Sequence, residues 1–527
     1  MDAVAVPRAS QAGLRRRWRA TPLQLAVAIT ILALALRLIN LNGRPLWLDE
    51  AFSAWFSDHS YHYLWTVLPT YEAHPPFYYS LLKLWRSLFG ETPTAMRGLS
   101  VMLGCLAVPV VIAAAFEQER QAPAGQPLLR AGLAGFLAAC SPMLLVIGQE
   151  ARPYPLLTLA YALAILALLR LARQLKAGEA GDWTNWLLLG AAAELTAWSH
   201  ALGILYAGCI ALALLPFWLG GPFSRDRLTR GLTTAAAVAL LYVPCLLMMA
   251  ARAQDWSTNW LEWRPSMLLQ LVVLYSVPVE ALTVGSAVAA LAMLLLIKRA
   301  LQTSLAGRGW STDRAMLLLW LGPPLLAALI SAVFVPVFLA RTLSGTLVPL
   351  YLVIGGAIAR TSGAQERRLI TIAICITLVP TAVATALRPA PERWDLVSSY
   401  LSRSVGARDQ VWLYPSDSAL PLGHAGPIPG TVRTIPAPFP TLGVEGPIRA
   451  GWPAMVSVTP EQADRLARDP AVQKVPVIWL VTRQSGIFDP HGDMPAALAR
   501  VRTPGPLQSW GYIGVQPYSV RRPKTAN

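Results

Sequence analysis

Long apolar runs separated by short, arginine-bearing joints set the pattern of this chain. Runs of membrane-spanning length fall at about 22–39, 94–116, 129–147, 155–174, 184–200, 202–220, 230–250, 281–298, 314–335, 342–359 and 368–387. Each approaches the ~20 apolar residues that a helix needs to cross a bilayer. The pattern predicts eleven transmembrane helices, with the 266–299 region fitting either one long helix or an in-plane helix followed by a span. The segment 40–93 is long for a joint. Its stretches 52–68 and 75–89 are aromatic-rich and amphipathic, which suits helices lying at the membrane interface. After Arg388 the pattern changes to prolines, charges and short β-type runs. Stretches 410–414 and 475–481 predict buried strands, and 396–405 and 461–468 predict helices. The fold class expected is a polytopic α-helical membrane protein, residues 1–387, followed by a small external α/β domain, 388–527, loop-rich between 415 and 455.

Composition narrows the class. Of 527 residues, 55% are hydrophobic and 14% charged, more apolar surface than a soluble domain can bury. The net charge of +16 would suggest nucleic acid in a soluble protein, but here the basic residues sit in joints between apolar runs. That placement excludes nucleic acid as a partner and reads as membrane topology. Arg15–Arg17 and Arg19 fall on one side with Arg170, Arg173 and Lys176, with Arg225, Arg227 and Arg230, with Lys298, Arg299, Arg308 and Arg314, and with Arg360, Arg367 and Arg368. This side is expected to be cytoplasmic, which puts the N-terminus inside and the C-terminal domain outside, in a multi-pass protein of the cell (inner) membrane. The apolar run after the N-terminal arginines continues to Ile39 without a small-residue cleavage site, so it reads as an uncleaved first helix. The five cysteines lie inside apolar runs, odd in number and without metal spacing, and read as buried packing residues.

The candidate chemistry starts at Trp47-Leu48-Asp49-Glu50-Ala51-Phe52-Ser53, just past the first span. Adjacent carboxylates at the edge of a hydrocarbon span lose hydration, so they mark a functional site if they face a cavity. The expected topology delivers more charged or titratable groups to the same side. They are His74 in Ala-His-Pro-Pro-Phe-Tyr-Tyr, Glu150, Arg152 and Tyr154 in Gly-Gln-Glu-Ala-Arg-Pro-Tyr, His200, and Arg341 in Ala-Arg-Thr-Leu. The loop 251–267 adds Arg252, Asp255, Glu262 and Arg264. Blander readings exist for each: a solvated acidic pair, a Glu150–Arg152 pair across a turn, a snorkelling Arg341. Taken together, carboxylates beside arginines at membrane depth suit one task. Arginines bind a lipid-linked phosphate through paired hydrogen bonds, while a carboxylate deprotonates an acceptor hydroxyl.

Pro45-Leu-Trp-Leu-Asp49-Glu50-Ala, His74-Pro-Pro-Phe-Tyr-Tyr, Ala95-Met-Arg97-Gly-Leu-Ser100 and Gly148-Gln-Glu-Ala-Arg-Pro-Tyr154 together resemble the GT-C glycosyltransferases. The likeness is to bacterial relatives of protein O-mannosyltransferases and lipid A aminoarabinose transferases, over about residues 20–360. The resemblance implies an inverting transferase that uses a polyprenyl-phosphate-linked sugar donor, in contact with membrane lipids, and acts on a lipid, glycan or protein acceptor. It implies Asp49 as general base, with Glu50 helping to hold donor or acceptor. Arg152 and Arg341 are donor-phosphate candidates by position and charge. His74 stands where some relatives have lysine, and His200, Glu150 and Tyr154 complete the candidate site. Some relatives hold a divalent metal near this loop, for which Asp49, Glu50 and His74 are the available ligands. The rivals are a transporter or flippase of lipid-linked saccharides, which predicts inverted repeats and mid-membrane charges, and a ligase or polymerase of such lipids.

Overall fold

A computed structural model describes residues 21–70, 72–221, 223–252, 261, 263–275, 284–439 and 458–521. The expected roles of Arg15–Arg17, Arg19, Asp255 and Glu262, and of the Arg252 side chain, fall outside the described residues, as do the first residues of the 281–298 run.

The first helix, α1 (Pro22–Leu38), starts where Thr21 and Gln24 form a reciprocal capping box ahead of Pro22. The segment after it holds α2 (Leu48–Asp58), α3 (Tyr61–Thr66) and α4 (Phe77–Phe89). Tyr78, Tyr79, Leu82 and Arg86 form the buried stripe of α4. Arg86 fastens it to α2 through Ala54 O (2.8 Å), Ser57 Oγ (2.7 Å) and Asp58 (2.5 Å). Next come α5 (Pro93–Gln121), α6 (Pro127–Cys140), α7 (Pro142–Gly148), α8 (Tyr154–Lys176), α9 (Trp183–Ser199), α10 (Gly203–Leu219) and α11 (Arg225–Arg252). They are followed by α12 (Gln270–Tyr275), α13 (Val284–Leu305), α14 (Thr312–Val333), α15 (Leu347–Ala359) and α16 (Ala364–Ala386).

Every run predicted as a span is helical, but length and composition alone qualify fewer as crossings. Six described helices are long and apolar enough, or seven if the α6–α7 pair is one bent span. That pair corrects the single span expected at 129–147. Ser141 ends α6 and caps α7, Pro142 cannot continue the hydrogen-bond ladder, and the axis turns by 54°. Arg37, fully buried, donates to Ala139 O and Leu144 O beside the break. Gly104 and Gly148 make room for it, since a Cβ at either would stand 2.9 or 2.8 Å from Arg37 Nε. The 266–299 region likewise resolves into a 3-10 turn (Pro265–Leu269), α12 and α13. A second 3-10 turn, Ala340–Thr346, runs straight into α15, and the two together form the span expected at 342–359.

Past α16, helix α17 (Trp394–Ser404) leads into a six-stranded sheet of β1 (Gln410–Tyr414), β2 (Thr431–Thr434), β3 (Val477–Arg483), β4 (Arg502–Pro504), β5 (Gln508–Trp510) and β6 (Ile513–Val520). The order is β2-β1-β3-β6-β4, with β5 also on β6. The β2–β1–β3 pairs are parallel and those with β6 antiparallel. Helices Pro460–Arg468 and Asp493–Val501 cover one face of the sheet. The other face, through Val411, Leu413 and Val481, shares a core with α17 and with Leu48, Phe52 and Phe56 of α2. The sheet therefore shares one hydrophobic core with the helix that carries Asp49 and Glu50.

Candidate active site

The acidic pair opens α2. No side chain of Trp47 caps this helix, and the N–H of Leu48 is satisfied by Glu392 Oε2 at 3.1 Å, an acid from the C-terminal region. An anion there is favoured by the helix dipole. Successive helical residues turn by about 100°, so the two carboxylates cannot share a direction. Glu50 points inward. It is fully buried, with Oε1 accepting from Arg97 Nε (2.8 Å) and Ala151 N (2.9 Å) and Oε2 from Arg97 Nη2 (2.6 Å). Arg97 also donates to the carbonyls of Leu41, Arg44 and Pro45. The Glu50–Arg97 pair thus clamps the approach to α2 against the turn after α7.

Asp49 faces the other way, into a basic cradle. Its Oδ2 lies 2.9 Å from Arg341 Nη2 and 3.9 Å from Arg152 Nη2. Arg152, nearly buried, donates to Asp49 O (3.1 Å) and Ser53 Oγ (3.3 Å), and its guanidinium lies over the Tyr154 ring. Arg341 comes from the 3-10 turn before α15, and its guanidinium stacks 5.3 Å from the centre of the Trp47 ring. Burial alone would raise the Asp49 carboxyl, but Arg341 and Arg152, helped by Arg483 and His74, hold it below the usual carboxylate range. The cradle is not internally satisfied. Asp49 Oδ2, Arg152 Nε, Arg341 Nε and Trp47 Nε1 are all buried without an aligned hydrogen-bond partner.

Beside the cradle runs a chain of three titratable groups. Leu202 N–H donates to His200 Nδ1 (3.0 Å), His200 Nε2 meets His74 Nε2 (3.0 Å), and His74 Nδ1 meets Glu72 Oε1 (2.6 Å). The backbone N–H fixes the tautomers. His200 must carry its proton on Nε2 and offer it to His74, so His74 carries its own on Nδ1, toward Glu72. Burial, with His74 and the two arginines, pushes His200 well below its ordinary value, so it stays neutral. Burial works against the Glu72 carboxylate, but its bonds to His74 hold it below the usual range.

Glu150 sits apart from this cluster. Burial raises its carboxyl to about 7, against the opposing pull of Arg388, whose Nη2 is 3.7 Å away. It does not pair with Arg152. Arg388 and Arg44 both donate to Gln149 Oε1, tying the turn that bears Glu150 to the ends of α1 and α16.

The structure thus gathers Asp49, Arg152, Arg341, Tyr154, His74 and His200, turns Glu50 into a buried clamp, and leaves Glu150 in a neighbouring basic pocket. Arg264 is exposed. The residues named for a divalent metal do not fit one. Glu50's oxygens are committed to Arg97 and Ala151, both ring nitrogens of His74 are engaged, and Asp49 faces guanidinium groups. Among the described residues no three His, Cys, Asp or Glu side chains group as ligands. Sequence reasoning missed Glu72, Arg388, Arg44, and Arg483 of β3 with Asp417 of the 3-10 turn after β1, paired at 3.3 Å behind Glu392. Arg97 stood in a quoted motif without a role. Glu72, two residues before His74 in a loop, carried the one signal that could have been read.

No family model matches the sequence, and no protein of curated function matches it. Solved structures do match. ArnT from Cupriavidus metallidurans in the apo state is 13% identical over 94% of this chain and 97% of that one, with a TM-score of 0.58. The same protein bound to undecaprenyl phosphate gives 13% identity over 94% and 98%, with a TM-score of 0.55. The Archaeoglobus fulgidus oligosaccharyltransferase, tethered to an acceptor peptide containing the NVT sequon, gives 12% over 96% and 75%, with a TM-score of 0.54. At these identities the likeness is one of fold: this chain shares the fold of these solved structures.

Proposed function

We propose that this chain is an inverting glycosyltransferase that moves a sugar from a polyprenyl-phosphate-linked donor to an acceptor nucleophile at the outer face of the cytoplasmic membrane. The observation that carries this reading is the Asp49–Arg152–Arg341 cradle, in which a carboxylate, a buried guanidinium group and a half-buried one hold unmet hydrogen-bonding atoms. Arg152 and Arg341 take the donor phosphate, whose charge replaces that of Asp49 as their partner. Asp49 then accepts the proton of the acceptor hydroxyl. The acceptor oxygen bonds to the anomeric carbon as the carbon–phosphate-oxygen bond breaks, and the bond electrons leave with the phosphate into the two guanidinium groups. Glu50 and Arg97 position Asp49 without touching substrate. A fold shared with a transferase solved with undecaprenyl phosphate supports a donor of that class. The charges of the cradle, Asp49, Arg152 and Arg341, sit at helix ends rather than midway along them, which favours transfer over a flippase.

The orientation read from the basic joints places the cluster, the sheet and the C-terminus outside and the N-terminus inside. The test is release of polyprenyl phosphate from synthetic polyprenyl-phosphate sugars by the purified full chain in lipid nanodiscs, with the anomer of the product read by NMR. Release with inversion is expected, and its loss in Asp49→Asn. No release from any donor, or near-normal release by Asp49→Asn, would overturn the reading.

A further inference from the structure

One surface feature outside the cradle remains unexplained by the transfer site. A groove of about 640 Å³ runs between α9 and α11, closed at one end by Trp65 of α3 and Phe77 of α4. Along α9 its wall is Trp183, Trp186, Leu187, Gly190, Glu194 and Trp198, the three-and-four spacing of one helix face. Trp183 to Trp198 spans 15 positions, or about 22 Å at helical rise, against a hydrocarbon core of ~30 Å. Leu187 and Leu241, 65% and 60% exposed, leave the groove open sideways.

Annular lipid could wet any such surface, but Glu194 does not suit hydrocarbon. Its residue lines the groove, and both carboxyl oxygens are buried without an aligned hydrogen bond. Trp198, one turn on, is within hydrogen-bonding reach of it, out of line. An ionisable group on a helix at membrane depth is costly unless something polar meets it. One end of the groove, at Phe77 and Trp198, comes close to the site histidines. Trp198 is two residues from His200, Trp65 and Trp198 have ring centres 5.6 Å apart, and Cys245 and Met249 of α11 lie against Glu72 and His74. Arg341 comes from elsewhere. Its turn packs on α7, α8, α12, α14 and α15, none of which lines the groove.

In-line displacement puts the acceptor and the leaving phosphate on opposite sides of the anomeric carbon. With the phosphate held by Arg341 and Arg152, a groove built from other helices and ending at Phe77 and Trp198, three and two residues from His74 and His200, serves the acceptor. We infer that the acceptor is a lipid whose hydrocarbon chain lies in the α9–α11 groove. A hydrogen-bond donor in its linkage region meets Glu194, and its hydroxyl reaches Asp49. The inference rests on the proposed transfer reaction for its chemistry, but its test does not depend on turnover.

The probe is a ceramide, whose amide N–H is the linkage donor and whose hydroxyl is free, with a diazirine in its N-acyl chain, added to the full chain in nanodiscs, photolysed and mapped by peptide mass spectrometry. Saturable labelling within 183–198 and 233–241 is expected, competed at least fivefold by unlabelled ceramide and not by polyprenyl phosphate. Ala191→Trp and Ala237→Trp, both at exposed groove positions, should each remove the labelling while leaving hydrolytic release of polyprenyl phosphate from the donor unchanged. Labelling that is unsaturable, or that survives both substitutions, means an annular surface and overturns the inference. Competition by polyprenyl phosphate means a donor-tail groove and overturns it too. Absent donor release in the wild type, with labelling as expected, would fault the transfer reading and leave the lipid site standing.

Discussion

Asp49 and Glu50 are neighbours in the chain, yet each answers to a different arginine. Asp49 Oδ2 stands 2.9 Å from Arg341, and Glu50 Oε2 stands 2.6 Å from Arg97. The first pair is partly open, with the arginine side chain 32% and the aspartate 21% exposed, while the second is sealed at 2% and 0%. Sealing decides what each can do. A base must exchange a proton with substrate, whereas a buried, bidentate pair whose remaining lone pairs are filled is a structural joint.

The two acids should therefore fail differently. Asp49→Asn should cut turnover by roughly 10²–10⁴-fold, the range for removing a positioned base, with little change in melting temperature. Glu50→Ala leaves Arg97 buried without its counter-charge and should cost on the order of 3–5 kcal/mol, with activity falling as folded protein is lost. Thermal melting alongside polyprenyl phosphate release separates them. A Glu50→Ala protein that melts like the wild type but does not turn over would place Glu50 at the reacting centre instead.

The Glu72–His74–His200 chain fixes where each ring proton sits, and Glu72 holds the end of it. Glu72→Gln presents an amide that can donate as well as accept, so His74 is released to the other tautomer and its bond with His200 is lost. Roughly ten-fold or greater loss in kcat is expected, within the general acid–base range, with donor KM and melting temperature nearly unchanged and a displaced pH–rate profile. An unaltered profile would show that the chain is only structural scaffolding.

Much of the architecture was legible in the alternation of apolar runs and polar joints, because a chain in lipid must satisfy its backbone within each helix. The positions of β1 and of α4 were also visible, the first from a compact apolar run and the second from an amphipathic stripe. The breaks were harder. Ser141-Pro142 lies inside an unbroken apolar run, and hydropathy is blind to the 54° turn that proline imposes there. Of the site, Asp49, Arg152 and Arg341 could be nominated because charge at a span end is expensive. What each acid does could not, since one residue's step along α2 decides whether a carboxylate meets Arg97 or Arg341. Glu392 and Arg483 act on Asp49 from more than 300 positions away in the chain, and no local pattern points to contacts of that range.

Glu392 joins the sheet region to α2. It accepts from Leu48 N and Trp394 Nε1 and faces Arg483 at 3.5 Å. Glu392→Ala removes an anionic cap and strips Arg483 of one of two buried partners. A loss of about 1–3 kcal/mol is expected, the cap alone accounting for about 1, together with faster proteolysis near residues 388–394. Glu392→Gln, which still accepts from Leu48, should recover most of the cap. Equal damage from both substitutions would mean that the charge opposite Arg483, not the cap, is what matters.

Glu150 supplies the pH dependence. Its carboxyl ordinarily ionises near 4.5 and, in the fold, at about 7. Between those values the folded protein keeps a proton that the unfolded chain has released, so stability declines as pH rises from 4.5 and levels off above 7. The full effect of that displacement is on the order of 3 kcal/mol. Asp49 and Glu72 act in the opposite sense. Their carboxyls are held low, so the stability they contribute is present above their ordinary range and is lost only in acid. His200, kept neutral by burial, works the other way as pH falls below its ordinary 6.5, so the Glu150 contribution is read as the difference between the wild type and Glu150→Gln. Its ionisation also sets a negative charge within reach of Arg341, which weakens that arginine's hold on a donor phosphate, so donor KM should rise as pH passes about 7. Glu150→Gln, which mimics the protonated acid, should flatten both the stability decline and the KM rise, and should delete an un-ionised carboxyl infrared band that titrates near 7. If the wild type lacks that band at pH 5.5, Glu150 is already ionised against Arg388 and neither pH effect should be found.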